Sequence, residues 1–121
     1  MTANNAYLAV FTVTRNSPRM QAWMALPEGE RHAKEREGVA AWKAWVQKHQ
    51  ASIAVMGGPL GKTKQVSERG VADISNAMSG FMVINADSPD AAAALFEKHP
   101  SFSIFPGDGV EIMPVLPIPA G

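Results

Sequence analysis

Read for hydrophobic periodicity, the chain divides into short apolar runs separated by polar turns. Tyr7 to Thr14 (YLAVFTVT) is apolar at both parities: Tyr7, Ala9, Phe11 and Val13 share one face, and Leu8 and Val10 begin the other. This β-branched and aromatic run predicts a strand covered on both sides. Asn16 to Arg19 reads as a turn around Pro18, and Gln21 to Leu26 as loop or a short helical turn. Pro27 suits a first helical turn, and Glu28 to His49 follows as a helix. Its expected inward stripe is Val39, Trp42, Val46 and His49, joined by Trp45. Gly38 is expected to weaken or bend it. Ser52 to Met56 predicts a short buried strand, followed by a glycine-rich turn. Thr63–Ser67 and Val71–Ile74 are expected to form a hairpin arm or extended loop.

Gly80 to Ala86 (GFMVINA) is again apolar at both parities and predicts a strand. The next helix announces itself: Ser88 is the N-cap, Pro89 the first helical residue, and Asp90 an acid in the first turn. Ala91 to His99 continues it and Pro100 is expected to stop it. Phe102 to Asp108 is a loop. Val110 to Leu116 is the last strand, with Pro114 placing its end at a sheet edge.

The order strand, helix, strand, hairpin, strand, helix, strand is that of the split βαβ, ferredoxin-like α+β plan. Both helices then cover one face of an antiparallel sheet. The opposite face, with Leu8 and Val10 beside Phe81/Val83 or Met82/Ile84, stays bare and apolar. The simplest cover is a second copy of the same sheet, so a homodimer with sheets packed face to face is expected.

Composition changes the picture only at the margins. The 121 residues suit a single domain, 1–121, with a core of its own. Eleven basic residues balance eleven acidic ones, which removes the electrostatic pull toward nucleic acid or an anionic membrane. No apolar run approaches the roughly 20 residues of a membrane span. The start Met-Thr-Ala-Asn-Asn-Ala lacks the basic and apolar regions of a signal peptide, so a cytoplasmic location is expected. Without cysteine, disulfides, thiol nucleophiles and cysteine metal sites drop out.

One stretch imitates a nucleotide loop. In Met56–Lys64 (MGGPLGKTK), Gly61-Lys62-Thr63 matches the end of a phosphate-binding loop. The leading glycine should stand at position 56, which is Met56, so the loop is one residue short. The following Gln65 to Gly70 also lacks a helical stripe. A glycine turn entering a hairpin is the better reading.

The segments MGGPLGKTKQV, SGFMVINADSPDAAAALFEKHP and GVEIMPVLPIP, in this order, resemble the YCII-related (DGPF-like) proteins, as does AAWKAWVQKH. The resemblance runs over Val39 to Pro119. It implies a dimeric α+β barrel, in agreement with the pattern argument. Some members are proposed to be enzymes because a polar cleft holds His and Asp. The motif that names the group stands here as Gly57-Gly58-Pro59-Leu60, without its acid. Arg31-His32 lies where the archetypal branch carries Arg and His, but at a different spacing. His99-Pro100 matches the recurring His-Pro.

His99 is accordingly the candidate acid/base, for a cofactor-free proton transfer or hydrolysis. The structural alternative is a histidine in the last helical turn, favoured by the dipole. His32 reads as exposed, and His49 as closing its helix stripe. No two histidines have helical metal-ligand spacing, so no metal and no cofactor is expected. Lys62 and Lys64 could hold an anion at the glycine turn, or be plain solvated lysines. Trp45, with Trp42, could line an apolar cleft, or pack the core. Ser79 could offer a hydroxyl to that cleft, or bond the turn, and Asp87 has a local role at the helix start. The expected site is thus His99 with Trp45, Lys62 and Ser79, serving a small-molecule enzyme. A non-catalytic ligand-binding or accessory dimeric module is the alternative.

Overall fold

The computed structural model describes residues 5–119. Strand β1 (Ala6–Thr12) leads to helix α1 (Pro18–Ala25) and the long helix α2 (Glu28–Lys48). Strands β2 (Ile53–Pro59), β3 (Thr63–Ser67), β4 (Gly70–Ile74) and β5 (Met78–Asn85) follow. Helices α3 (Pro89–Leu95) and α4 (Pro100–Ser103) precede the last strand, β6 (Gly109–Pro114). The main sheet has the order β2-β5-β1-β6, with every neighbouring pair antiparallel. Without the β3–β4 hairpin, which forms a separate two-stranded sheet, this is the ferredoxin-like split βαβ arrangement.

The two parities of the central strands do different work. Tyr7, Ala9 and Phe11 lie opposite Ile84, Met82 and Gly80, and this face carries the core. Trp45 of α2, Ala92 of α3 and Phe96 close over it. On the other face Leu8 pairs with Val83 and Met113, and Val10 pairs with Phe81. No helix of the protein packs there among the described residues. Val55 and Met113 are exposed on that side, whereas Val10 is buried between its neighbours. No described helix is long and apolar enough to cross a membrane.

Several sequence expectations need correcting. Asn16 to Leu26 is not a turn with a fragment of helix. Ser17 caps a two-turn helix, accepting from the Met20 amide at 3.0 Å, with Pro18 at the first helical position. The second predicted helix does not run to His99. It ends at Leu95, Lys98 takes a left-handed φ of 57°, and Pro100 opens α4 rather than stopping α3. Pro100 does here what Pro18 and Pro89 do, because a proline with no N–H costs nothing at a helix start.

In α2 the inward stripe is Gly38, Trp42, Trp45, Val46 and His49, and Val39 is exposed. Gly38 is a packing slot, not a weak point: a Cβ there would lie 2.4 Å from the Phe105 ring. The glycine turn is also shorter than the sequence suggests, since Gly57 to Pro59 belong to β2. Gly57 has φ +65°, within a register shift between Val55 and Gly58, so it is a bulge in the strand. Only Leu60 to Lys62 form the turn, and strand β3, not a helix, follows. A nucleotide loop is therefore excluded on geometry.

Candidate functional site

The residues expected to act together are divided between two places. His99 is fully buried, at 0% exposure, inside a cage of aromatic rings. Phe11 and Phe96 lie 5.2 and 5.7 Å away between ring centres. Trp42 and Trp45 meet the imidazole in edge-to-face contacts at 4.6 and 4.7 Å. Its Nδ1 accepts the Ser101 amide at 3.0 Å and lies 3.0 Å from the Ser101 hydroxyl. His99 is thus the N-cap of α4, in place of the usual Ser or Asp.

An Nδ1 that accepts an amide hydrogen bond leaves the proton of the neutral ring on Nε2. Nε2 is buried with no hydrogen-bond partner in the protein. Burial lowers the His99 pKa to about 4, and the nearby positive charge of His49 adds to the shift. His49 itself is lowered by burial and by Lys48.

Trp45 is a core residue of the same cage. Its indole N–H donates to the Leu95 carbonyl at 2.9 Å, holding α2 against the end of α3.

Lys62 and Ser79 lie elsewhere, together in a cleft of about 1060 Å³. Its walls come from the chain leaving β1 (Val13 to Asn16), Met20 of α1, the turn Leu60–Lys64, and the return segment Asp73–Ser79. His99 and Trp45 do not line it. A shallower depression of about 490 Å³ runs along α2 past His32 and Lys43.

Most polar side chains of the large cleft are already hydrogen-bonded or ion-paired, while those of Asn16 and Ser75 have no hydrogen bond among the described residues. Ser79 donates its hydroxyl proton to the Phe11 carbonyl at 3.1 Å, pinning β5 to β1. Asn76 donates to the Thr63 hydroxyl and accepts the Met78 amide. Thr14 donates to the Asp108 carboxylate at 2.5 Å. Lys64 and Asp73 form an exposed ion pair at 2.6 Å. Arg15 and Lys62 have no ion-pair partner among the described residues. Sequence reasoning missed Arg15, which lies between the first strand and the Asn16–Arg19 turn and belongs to no motif.

Gly57, where the resemblance to the DGPF-like motif would put an acid, is a position that geometry reserves for glycine. A Cβ at Gly57 would stand 2.0 Å from the Phe81 carbonyl oxygen, so this bulge admits no side chain. Among the described residues, no three His, Asp or Glu side chains cluster in a way that would hold a metal.

No known family's sequence profile matches the chain, and no curated protein matches it in sequence. The fold, however, is shared. A solved structure of 5-chloro-2-hydroxyhydroquinone dehydrochlorinase from Burkholderia phenoliruptrix, in complex with 2,5-dihydroxybenzoquinone, superposes with a TM-score of 0.51. The match covers 88% of this chain and 89% of that one, at 18% identity. At that identity the likeness speaks for the α+β fold alone. By its name, that protein is an enzyme acting on a small molecule.

Proposed function

We propose that the protein binds a small molecule in the cleft at the base of the hairpin, with Arg15 and Lys62 as its charged contacts. The observation that carries this reading is the distribution of partners within the cleft. Thr14, Thr63, Asn76, Ser79 and Lys64 are satisfied within the protein, and among the described residues the two cations Arg15 and Lys62 have no ion-pair partner. A cleft with an apolar wall and a few free polar groups is the usual form of a small-ligand site. A quinone-binding enzyme of the same fold, and the motif order shared with the YCII-related proteins, both support it. The test is a fragment screen by ligand-observed NMR, repeated with an Arg15→Gln/Lys62→Gln double variant. Hits that lose binding in the variant are expected. Hits unaffected by it would place the site elsewhere.

One observation favours a catalytic reading. The neutral His99 keeps an Nε2–H with no hydrogen-bond partner in the protein, and Phe11 contacts both the imidazole and, through its carbonyl, Ser79 of the cleft. In this reading a local opening of the cage releases Nδ1 from the Ser101 amide, so that it can take a proton from a bound substrate and return it as acid/base, without a cofactor. Its mark would be an activity lost in His99→Gln while ligand affinity stays unchanged.

The bare sheet face supports a homodimer in either reading. Leu8, Val10, Phe81, Val83, Val55 and Met113 make a largely apolar face, interrupted by Glu111 beside Val10, that a second sheet would cover. Sedimentation at micromolar concentration is expected to give a dimer, and a monomer there would end that proposal.

A further inference from the structure

The cleft has two kinds of wall, and together they define a ligand class. This inference rests on the cleft reading above. Leu60, Ile74 and Met78 are large hydrophobic side chains left 44%, 39% and 49% exposed, and all three line the cleft, with Val13 and Met20 beside them. A cleft that served only an inorganic anion would have no use for such a surface. Two methionines among the five also give the wall side chains that can adapt to an irregular shape.

The polar side of the cleft is selective in the opposite direction. A neutral polyol or sugar is recognised through free amide and hydroxyl groups, and here Thr14, Thr63, Asn76 and Ser79 are already hydrogen-bonded within the protein, which leaves only the Asn16 amide and the Ser75 hydroxyl. Among the described residues, the charged groups of the cleft without an ion-pair partner or a hydrogen bond are the cations Arg15 and Lys62. Three cations (Arg15, Lys62 and Lys64) line the cleft against one carboxylate (Asp73), with Asp108 adjoining through Thr14. The remaining excess is a single positive charge, 3 − 2 = +1, which suits one negative charge better than a doubly charged phosphate. The planar guanidinium of Arg15 matches a carboxylate or an enolate.

We propose that the cleft takes an amphipathic monoanion: a carboxylate, enolate or phenolate on an apolar or aromatic body. The anionic end lies at Arg15 and Lys62, and the body lies on Leu60, Ile74 and Met78. Binding then weakens with salt, because both cations are exposed.

The test compares four probes by NMR, reading the methyl signals of Leu60, Ile74 and Met78: 4-tert-butylbenzoate, 4-tert-butylbenzyl alcohol, acetate and inorganic phosphate. The benzoate is expected to saturate these signals. The neutral alcohol is expected to bind about tenfold more weakly, the loss of one charge-assisted contact. Acetate and phosphate are expected to show no saturation. Arg15→Gln/Lys62→Gln should bring the benzoate to the level of the alcohol, and Leu60→Ser should weaken benzoate and alcohol alike. Equal binding of alcohol and benzoate, or tighter binding of phosphate, would overturn the ligand class and leave the cleft standing. Saturable binding that leaves all three methyl signals unmoved would overturn the cleft itself.

Discussion

Acid is expected to loosen this protein through one imidazole. In the unfolded chain His99 titrates at the ordinary 6.5, and in the folded protein at about 4. Between these values the unfolded state binds a proton that the folded state does not. Stability therefore rises with pH through that window: it is fully present above 6.5 and lost as pH falls toward 4. The interval of 6.5 − 4, about 2.5 units at 1.36 kcal/mol each, amounts to about 3 kcal/mol. For a domain whose stability is on the order of 5–15 kcal/mol, that is a large share. The geometry gives the same sign. A protonated Nδ1 could no longer accept the Ser101 amide, so α4 would lose its cap while a charge was placed among four aromatic rings. His49 shifts in the same direction and adds to the slope. The assay is urea unfolding at intervals from pH 8 to pH 4.5, run beside His99→Phe, which cannot titrate. The wild type should lose stability across this range by about 2 kcal/mol more than the variant. Parallel profiles, or an NMR titration placing His99 near 6.5 in the folded protein, would refute the reasoning.

Other substitutions probe the backbone arguments. Gly57→Ala puts a Cβ against the Phe81 carbonyl at a left-handed φ, and should cost more than about 2 kcal/mol by chemical denaturation. Gly38→Ala and Gly29→Ala form a matched pair on α2. The first meets the Phe105 ring and should lower stability by about 1 kcal/mol, despite the better helix propensity of alanine. The second meets nothing within 4 Å and should raise it by a few tenths to about 1 kcal/mol. If both raise stability, the packing slot at Gly38 is not as tight as described. Ser17→Ala should cost about 1 kcal/mol in a thermal melt through loss of the α1 cap, and no change would show that α1 is held by its other contacts.

The split βαβ plan was legible because two signals agreed along the chain. Tyr7 to Thr12 and Gly80 to Asn85 are apolar at both parities, and Ser88-Pro89 marks a helix start without ambiguity. The same Ser-Pro signal stands at Ser17-Pro18, and weighing Pro18 as a turn residue hid α1. His99-Pro100 misled in a related way. A proline after a helical run reads as a stop, and only the left-handed Lys98, invisible in the sequence, shows that α3 has already ended. The candidate site was legible in pieces. Lys62 and Ser79 lie 17 positions apart and meet because the hairpin returns the chain to its starting point. Trp45 and His99 were expected with them, yet they face the core, since residue type alone does not say which side of the β1 strand a group packs against. Arg15 carries no local pattern at all and becomes visible only when the return segment Asp73–Ser79 closes the cleft beside it.

The β3–β4 hairpin stands apart from the main sheet, paired only to itself, with Val66 and Val71 opposite one another and both exposed. A two-stranded ribbon of this kind has little stability of its own in water. Its amides should therefore exchange with deuterium through local opening, long before those of β1 and β5, which exchange only when the whole domain unfolds. Because Thr63, Lys64, Asp73 and Ile74 at the root of the ribbon also line the cleft, anything seated there braces it. Slowed exchange along residues 63–74 would then report an occupied cleft, even for a compound whose identity is unknown.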